Sequence, residues 1–370
     1  MGIYLDHNAS TPIAPGVAAA IRAATEGPFG NPSAAHWAGR PARERLEAAR
    51  ARLAALLGCA PYEIVLTSGG SEANNLILKG VFERAGVARP HFVTSAVEHP
   101  AITQPLAWLE RRGARVTRLP VDGHGRVAPA DLEAALGPET VLVSLMHANN
   151  ETGTLQPVAE CAALARAAGV PVHTDAAQTV GKVTTRVDEL GVDALSVAGH
   201  KFHAPKGVGA LYVREGLDLE PLIHGAGHER GRRAGTESVL LAEALAAACD
   251  LARGQADAEH VRALRDHFWR RLREAFGANV VRNGHPEHCL PNTLNVAFPG
   301  RRGADILEGL GDVAASTGSA CHADRVELSP VLAAMGVPEH VGMGAIRFSL
   351  GRGNTQAEID TVVERLSQMV

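Results

Sequence analysis

The feature that most constrains the fold is an alternation. Between residues 63 and 213, short apolar runs rich in Val, Leu and Ile alternate with helical stretches. Strands read at 63–67, 91–95, 116–119, 141–145, 170–175 and 194–197; helices read at 129–136 and 158–168, among others. Repeated β-α-β units imply a mainly parallel sheet with helices on both faces, because a parallel crossover needs a helix and its strands are then buried on both sides. Such sheets carry their chemistry at the carboxyl ends of the strands. The rest of the 370 residues is enough for a second, smaller α+β unit. The expected division is a large α/β domain over 13–256 and a small domain made of 1–12 and 257–370, with the boundary near Gln255, Ala256 and Asp257.

Residues at the strand ends supply candidate chemistry. The run ending at Val197 continues as Ala198-Gly199-His200-Lys201 and delivers a lysine at a carboxyl edge. The strand 170–175 ends in Asp175, with Gln178 three residues on. A lysine amine and a strand-end aspartate suit pyridoxal phosphate, whose protonated ring nitrogen needs a carboxylate partner. The strand 63–67 runs into Ser68-Gly69-Gly70-Ser71 and a helix, where free N–H groups and the positive dipole end form a phosphate cradle. His99 falls just past another strand end, and an isolated histidine there is either structural or an acid/base group. Asn149 and Asn150 both follow the strand 141–145, in a turn that would itself favour Asn. Lys206 competes with Lys201, but it precedes a glycine and reads as part of a turn.

These motifs resemble cysteine desulfurases of the NifS/IscS group, fold-type I pyridoxal-phosphate enzymes of the class V aminotransferase family. The resemblance runs from Tyr4-Leu5-Asp6 to Arg347-Phe348-Ser349-Leu350-Gly351-Arg352, nearly the whole chain. It implies that Lys201 carries the cofactor and that Gly70, Ser71 and His200 hold its phosphate. It implies that Asp175 pairs with the ring nitrogen, Gln178 and Asn150 with the ring oxygen, and that His99 stacks on the ring and shuttles protons. Asn8 lies near the substrate, and Arg347 holds the substrate carboxylate through its planar fork. Many of these enzymes have Ser where this chain has Ala198, which removes one phosphate donor.

Cys321 separates this group from other enzymes of the fold. It lies in Ser316-Thr317-Gly318-Ser319-Ala320-Cys321-His322, small and polar residues that read as a mobile, exposed loop, where a thiolate has access. It matches the sulfur-accepting cysteine of the longer, group I loop, closed here by Ser329-Pro330. The other cysteines, Cys59, Cys161, Cys249 and Cys289, read as small core residues, with no C-x-x-C pair for a disulfide framework or zinc. His224 and His228 are separated by glycines with no third ligand evident, so no metal site is expected.

The implied reaction converts L-cysteine to L-alanine and leaves the sulfur as a persulfide on Cys321 for a protein acceptor, an iron–sulfur scaffold or a thiolation protein. Selenocysteine lyase, another lyase of the same fold, and a catalytically weak sulfur-carrier scaffold are the competing readings. The glycine-rich segment 225–236 reads as a surface loop; the resemblance sends it to a neighbouring subunit's site, where Thr236 contacts phosphate, and so implies a homodimer with shared sites. A formal charge of −4 gives no electrostatic case for nucleic acid or membrane, and with no basic-then-apolar leader the expected location is cytoplasmic.

Overall fold

The computed structural model describes the backbone of residues 2–253, 256–317, 321–322 and 325–370, and the side chains of those residues apart from 256 and 321–326. Its centre is a seven-stranded sheet in the order Ile64–Thr67, Gly209–Val213, Ala194–Ala198, Val172–Asp175, Thr140–Ser144, His91–Ser95, Arg115–Leu119. Only Gly209–Val213 runs antiparallel to its neighbours. The strands are four or five residues long and, apart from the edge strand Arg115–Leu119, almost wholly buried, as expected for a sheet covered on both faces. One face packs on a core built mainly from Val, Leu and Ala; the other is covered by the helices Gly70–Arg84 and Pro100–Glu110 through Leu76, Ile77, Ile102 and Leu106.

The alanines serve helix packing. Ala242 and Ala246 of the helix Val239–Ala252 meet Leu46 and Ala49 of Gly39–Leu57, and side chains this small allow a close approach of the two axes. Gly58 ends the latter helix in the left-handed region (φ 74°), where a residue with a Cβ is strained.

A second sheet is antiparallel, in the order Ser316–Thr317, Ala345–Ser349, Thr293–Ala297, Val281–Asn283. Its core holds much of the scarce aromatic content: Phe268 tilts against Phe348 at 4.9 Å, and Phe276 stands edge-on to Phe298 at 5.2 Å. The amino terminus joins this part of the molecule, Ile3–Tyr4 pairing in parallel with Val313–Ala314. Asp6, Asn8 and Lys201 are thereby brought to the seam between the sheets.

The structure departs from the expected loop around Cys321. Cys321–His322 pairs antiparallel with Arg325–Val326, so the backbone at Cys321 is a two-residue strand. Gly318, Ser319, Ala320, Ala323 and Asp324, with the side chain of Cys321, lie outside the described residues, as does Gln255 of the expected domain boundary. Among the described residues no helix is long and apolar enough to cross a membrane.

Candidate active site

A cavity of about 430 Å³ opens at the carboxyl ends of the central strands. Asn8, Gly70, Ser71, His99, Asn150, Asp175, Gln178, His200, Lys201 and Arg347, singled out from scattered sequence positions, all line it. The common cause is topological: parallel strands end on one edge, so residues just beyond each strand converge.

Lys201 closes the one-turn 3₁₀ segment Gly199–Lys201 directly after Ala194–Ala198. Its Nζ donates to the carbonyls of Asn8 (2.5 Å) and Ala9 (3.0 Å). Burial, with the Arg347 charge, lowers its pKa to about 8, against the pull of Asp175 and Asp6. The amine therefore reaches its neutral, nucleophilic form more readily than a surface lysine. Lys206 is exposed and does not line this cavity.

Asp175 is 7% exposed and held on both oxygens. Oδ1 accepts from the Ala177 amide (2.9 Å) and Oδ2 from Asn74 Nδ2 (2.6 Å). Both oxygens are thereby fixed in orientation within the cavity. His99 caps the helix Pro100–Glu110, its Nδ1 accepting from the Ala101 amide at 3.0 Å. Nδ1 is then without a proton, so the neutral ring carries its hydrogen on Nε2. Burial and Lys201 push its pKa down and Asp175 pulls it up. Burial likewise takes His200 down to about 4, leaving a neutral ring 3.3 Å from Ser10 Oγ.

The asparagine ambiguity has a geometric answer. Asn149 is buried and locked in a turn, its Oδ1 accepting the amides of Glu151 (2.8 Å) and Thr152 (2.9 Å) and its Nδ2 donating to Val97 O (2.9 Å). Asn150 lines the cavity. Arg347 pairs with Asp6 Oδ1 (2.7 Å) and donates to Ser316 Oγ (3.0 Å) and Asn150 O (3.0 Å); its buried Nε has no partner among the described residues. Asn8 sits between these groups, its Nδ2 donating to Thr293 Oγ1 (2.8 Å) and Asn150 O (3.2 Å).

The helix Gly70–Arg84 begins with Gly69 as a cap without a side chain, so its first amides face the cavity with no competing acceptor. The approach is tight: a Cβ on Gly209 would lie 2.6 Å from Gly69 Cα, which requires glycine in that strand. A Cβ on Gly70 would come within 3.2 Å of the Ala198 side chain, placing Ala198 beside the same helix start.

Two predicted residues are not in the cavity as described. Thr236 is exposed and lines a separate hollow with Ser68 and Arg233. Cys321 is described in backbone only. Sequence reasoning also missed several groups. Asn74 holds Asp175, Asp6 holds Arg347, and Lys182 donates to Gln178 Oε1 at 3.1 Å. Glu98 accepts from Ser95 Oγ (2.6 Å) and the Met146 amide (3.0 Å), and burial raises its pKa to about 8, so it keeps a proton at neutral pH. The one signal for Asn74 was a polar residue beside Ala73, Leu76 and Ile77 on the buried face of its helix. Cys289 is buried as expected, but its sulfur accepts from Arg265 (3.0 Å) and Arg282 (3.4 Å), so its surroundings are not apolar.

The aminotransferase class-V family model matches residues 3–362, and the chain belongs to that family, on its cysteine desulfurase branch. It is 42% identical over 372 residues to the cysteine desulfurase IscS of Dictyoglomus turgidum, covering 100% of this chain and 94% of that relative. Among solved structures, a NifS-like protein superposes with a TM-score of 0.93 at 36% identity, covering 100% of this chain and 99% of the other. The structure of SspA in complex with cysteine superposes at 0.85 with 35% identity, covering 95% and 100%. The expected fold class, fold-type I of the pyridoxal-phosphate enzymes, is therefore correct.

The family is pyridoxal-phosphate dependent, and the residues present fit that cofactor. The uncapped amides at Gly70 and Ser71 suit a phosphate, Lys201 and Asp175 share the cavity, and Asn74 Oδ1 is buried without a partner among the described residues. Ala198→Ser restores a hydroxyl beside the helix start. It is expected to tighten pyridoxal phosphate by about 2- to 10-fold, the worth of one hydrogen bond, read as the cofactor dissociation constant. An unchanged constant would mean that no phosphate oxygen lies within reach of position 198.

Proposed function

We propose that the protein is a cysteine desulfurase that converts L-cysteine to L-alanine and passes the sulfur, as a persulfide on Cys321, to an acceptor protein. The observation that carries this reading is the convergence of the Lys201 amine, the Asn74-held Asp175 carboxylate and the uncapped helix start at Gly70 in one cavity, in a chain 42% identical to a cysteine desulfurase. Bound pyridoxal phosphate supplies an electron sink for negative charge at the substrate α-carbon.

The chain's own groups divide the remaining work. Gly70, Ser71 and His200 bind the phosphate, and Asp175 holds the proton on the ring nitrogen. Gln178 and Asn150 serve the ring oxygen. Arg347, oriented by Asp6, takes the substrate carboxylate near Asn8. Lys201, with its lowered pKa, removes and returns the α-proton. His99 packs on the ring and offers its Nε2 hydrogen to the reacting groups.

The Cys321 thiolate attacks the substrate sulfur. A sulfur–sulfur bond forms, the carbon–sulfur bond breaks, and its electron pair stays on carbon, which is protonated to give alanine. Splitting sulfur removal from sulfur delivery in this way divides one hard step into two.

The exposed position of Thr236, outside its own chain's cavity, supports a homodimer in which this loop serves the second copy's site. We also take residues 13–256 as the cofactor-binding domain and 1–12 with 257–370 as the second; pairing of Ile3–Tyr4 with Val313–Ala314 supports this division. We take the acceptor to be a protein and the reaction to be cytoplasmic.

The test is incubation of the cofactor-loaded protein with L-cysteine and a thiol reductant, measuring alanine and sulfide together. Equal amounts of both are expected, and Cys321→Ser is expected to lose them. Sulfide with pyruvate in place of alanine would replace the proposed reaction with β-elimination.

A further inference from the structure

Lys182 is a charged group that the proposed chemistry does not use, yet it touches the site. It lies one turn beyond Gln178, and its Nζ donates to Gln178 Oε1 (3.1 Å) and Asn8 Oδ1 (3.4 Å). Gln178 is 4% exposed, and its Nε2 donates to Asn8 O at 2.9 Å, the same carbonyl that receives Lys201 Nζ. We propose that Lys182 is a positioning residue that sets which end of the Gln178 amide faces the cofactor.

The two ends of a glutamine amide have nearly the same shape, so packing alone does not choose between them. In its protonated form Lys182 has hydrogens to give and no lone pair, so the atom beside it is then the carbonyl oxygen. The nitrogen is then driven to the far side. One of its hydrogens goes to Asn8 O, and the second is left for an acceptor in the cavity that Gln178 lines. Asn292 Nδ2 donates to Asn8 Oδ1 at 3.1 Å, so that oxygen receives both Asn292 and Lys182 and the Asn8 amide is held the same way round. Flipping Gln178 would set its amide hydrogens against the ammonium of Lys182 and its oxygen against Asn8 O. A misplaced buried polar contact of this kind costs about 1–3 kcal/mol, a 5- to 150-fold preference for the observed orientation.

Keeping a lysine here has a cost. Burial and the charges of Lys201 and Arg347 lower the Lys182 pKa to about 7. A methionine would fill the same space without that penalty, so the amine's hydrogens are the part that a positioning role requires.

This inference rests on the proposed cofactor site, so the test reads the bound cofactor as well as product. The pH midpoint of its absorbance change is measured in wild type, Lys182→Met, Lys182→Arg, Gln178→Ala and the Lys182→Met/Gln178→Ala double variant, with L-alanine formation and thermal midpoints alongside. Lys182→Met is expected to raise the absorbance midpoint by about one pH unit, since a donor and a nearby positive charge both favour the deprotonated form. Lys182→Arg keeps a donor-only group and is expected to restore most of the wild-type value. In the Gln178→Ala background the Lys182→Met shift is expected to shrink by more than half, because residues acting as one unit are non-additive.

An equal shift in both backgrounds would overturn the proposal, showing that Lys182 acts by charge alone. So would an unchanged midpoint in Lys182→Met, or a Lys182→Arg shift as large as that of Lys182→Met. If Lys182→Met does not fold, Lys182→Ala takes its place in the same cycle. Wild type that makes alanine while the cycle fails leaves the desulfurase reading intact; wild type with no cofactor absorbance removes both.

Discussion

Lys201→Ala is expected to lower L-alanine formation by at least about 10³-fold and to abolish the absorbance of covalently held cofactor, while leaving the folding midpoint nearly unchanged. A positioned acid/base group contributes on the order of 10²–10⁴ in rate, and Lys201 is proposed both to hold the cofactor and to move the α-proton. Stability changes little because the lysine is only half-buried and its acceptor Asn8 O keeps Gln178 as a donor. Removing the amine also relieves the burial that lowers its pKa to about 8. Lys206→Ala, at the exposed competing lysine, is the control and is expected to be indistinguishable from wild type. A Lys201→Ala variant that kept a tenth of the activity would refute the assignment.

Glu229→Ala is expected to show the opposite pattern, a loss of stability of about 3 kcal/mol, the low end for a broken buried pair because Glu47 stays beside Arg50, with the groups of its own chain's cavity left in place. Arg50 and Glu229 are 4% and 6% exposed and form a two-pronged ion pair at 2.7 and 2.8 Å. Glu229 also accepts the Leu66 amide (2.8 Å), and Arg50 donates to Ile64 O (2.9 Å), so the pair fastens the loop to the edge strand Ile64–Thr67. Truncating Glu229 strips the buried Arg50 of its two-pronged partner and leaves it only the exposed Glu47 (3.3 Å), which is the source of that penalty.

The pair also sustains a strained backbone. Glu229 (φ 47°) and Arg230 (φ 56°) are consecutive non-glycine residues in the left-handed region, at about 1–2 kcal/mol each. Urea or thermal midpoints would register the loss, and a change under about 0.5 kcal/mol would mean that the pair is compensated. Glu229→Gln keeps the shape without the charge and is expected to fall between the two. The same loop carries Thr236 seven residues on, so the anchor bears on the proposed homodimer.

The legible part of the site has a simple basis. Lys201, Asp175 and the Gly70–Ser71 turn each follow an apolar strand, and in a parallel sheet that position along the chain is also a position in space. Arg347 was legible because a lone arginine in an apolar strand needs a partner, although nothing in its neighbourhood pointed to Asp6, hundreds of residues away in sequence. Asn149 and Asn150 show where pattern stops: both suit a turn, and only the hydrogen bonds to Glu151, Thr152 and Val97 separate the locked residue from the one facing the cavity. The charged loop 225–236 was read as a solvated surface, yet Glu229 is buried because Arg50 comes to meet it from another helix.

The sequence alone determined the layered α/β architecture, the strand ends that bear chemistry and the family, because these depend on local periodicity and on motifs short enough to be contiguous. Only the tertiary structure decided what holds those residues in their working states. Asn74 on Asp175, Asp6 on Arg347 and Arg50 on Glu229 are pairings between distant elements. Each exists because folding removes water from a polar group that must then find a partner in the chain, and which partner arrives is a property of packing, not of sequence spacing.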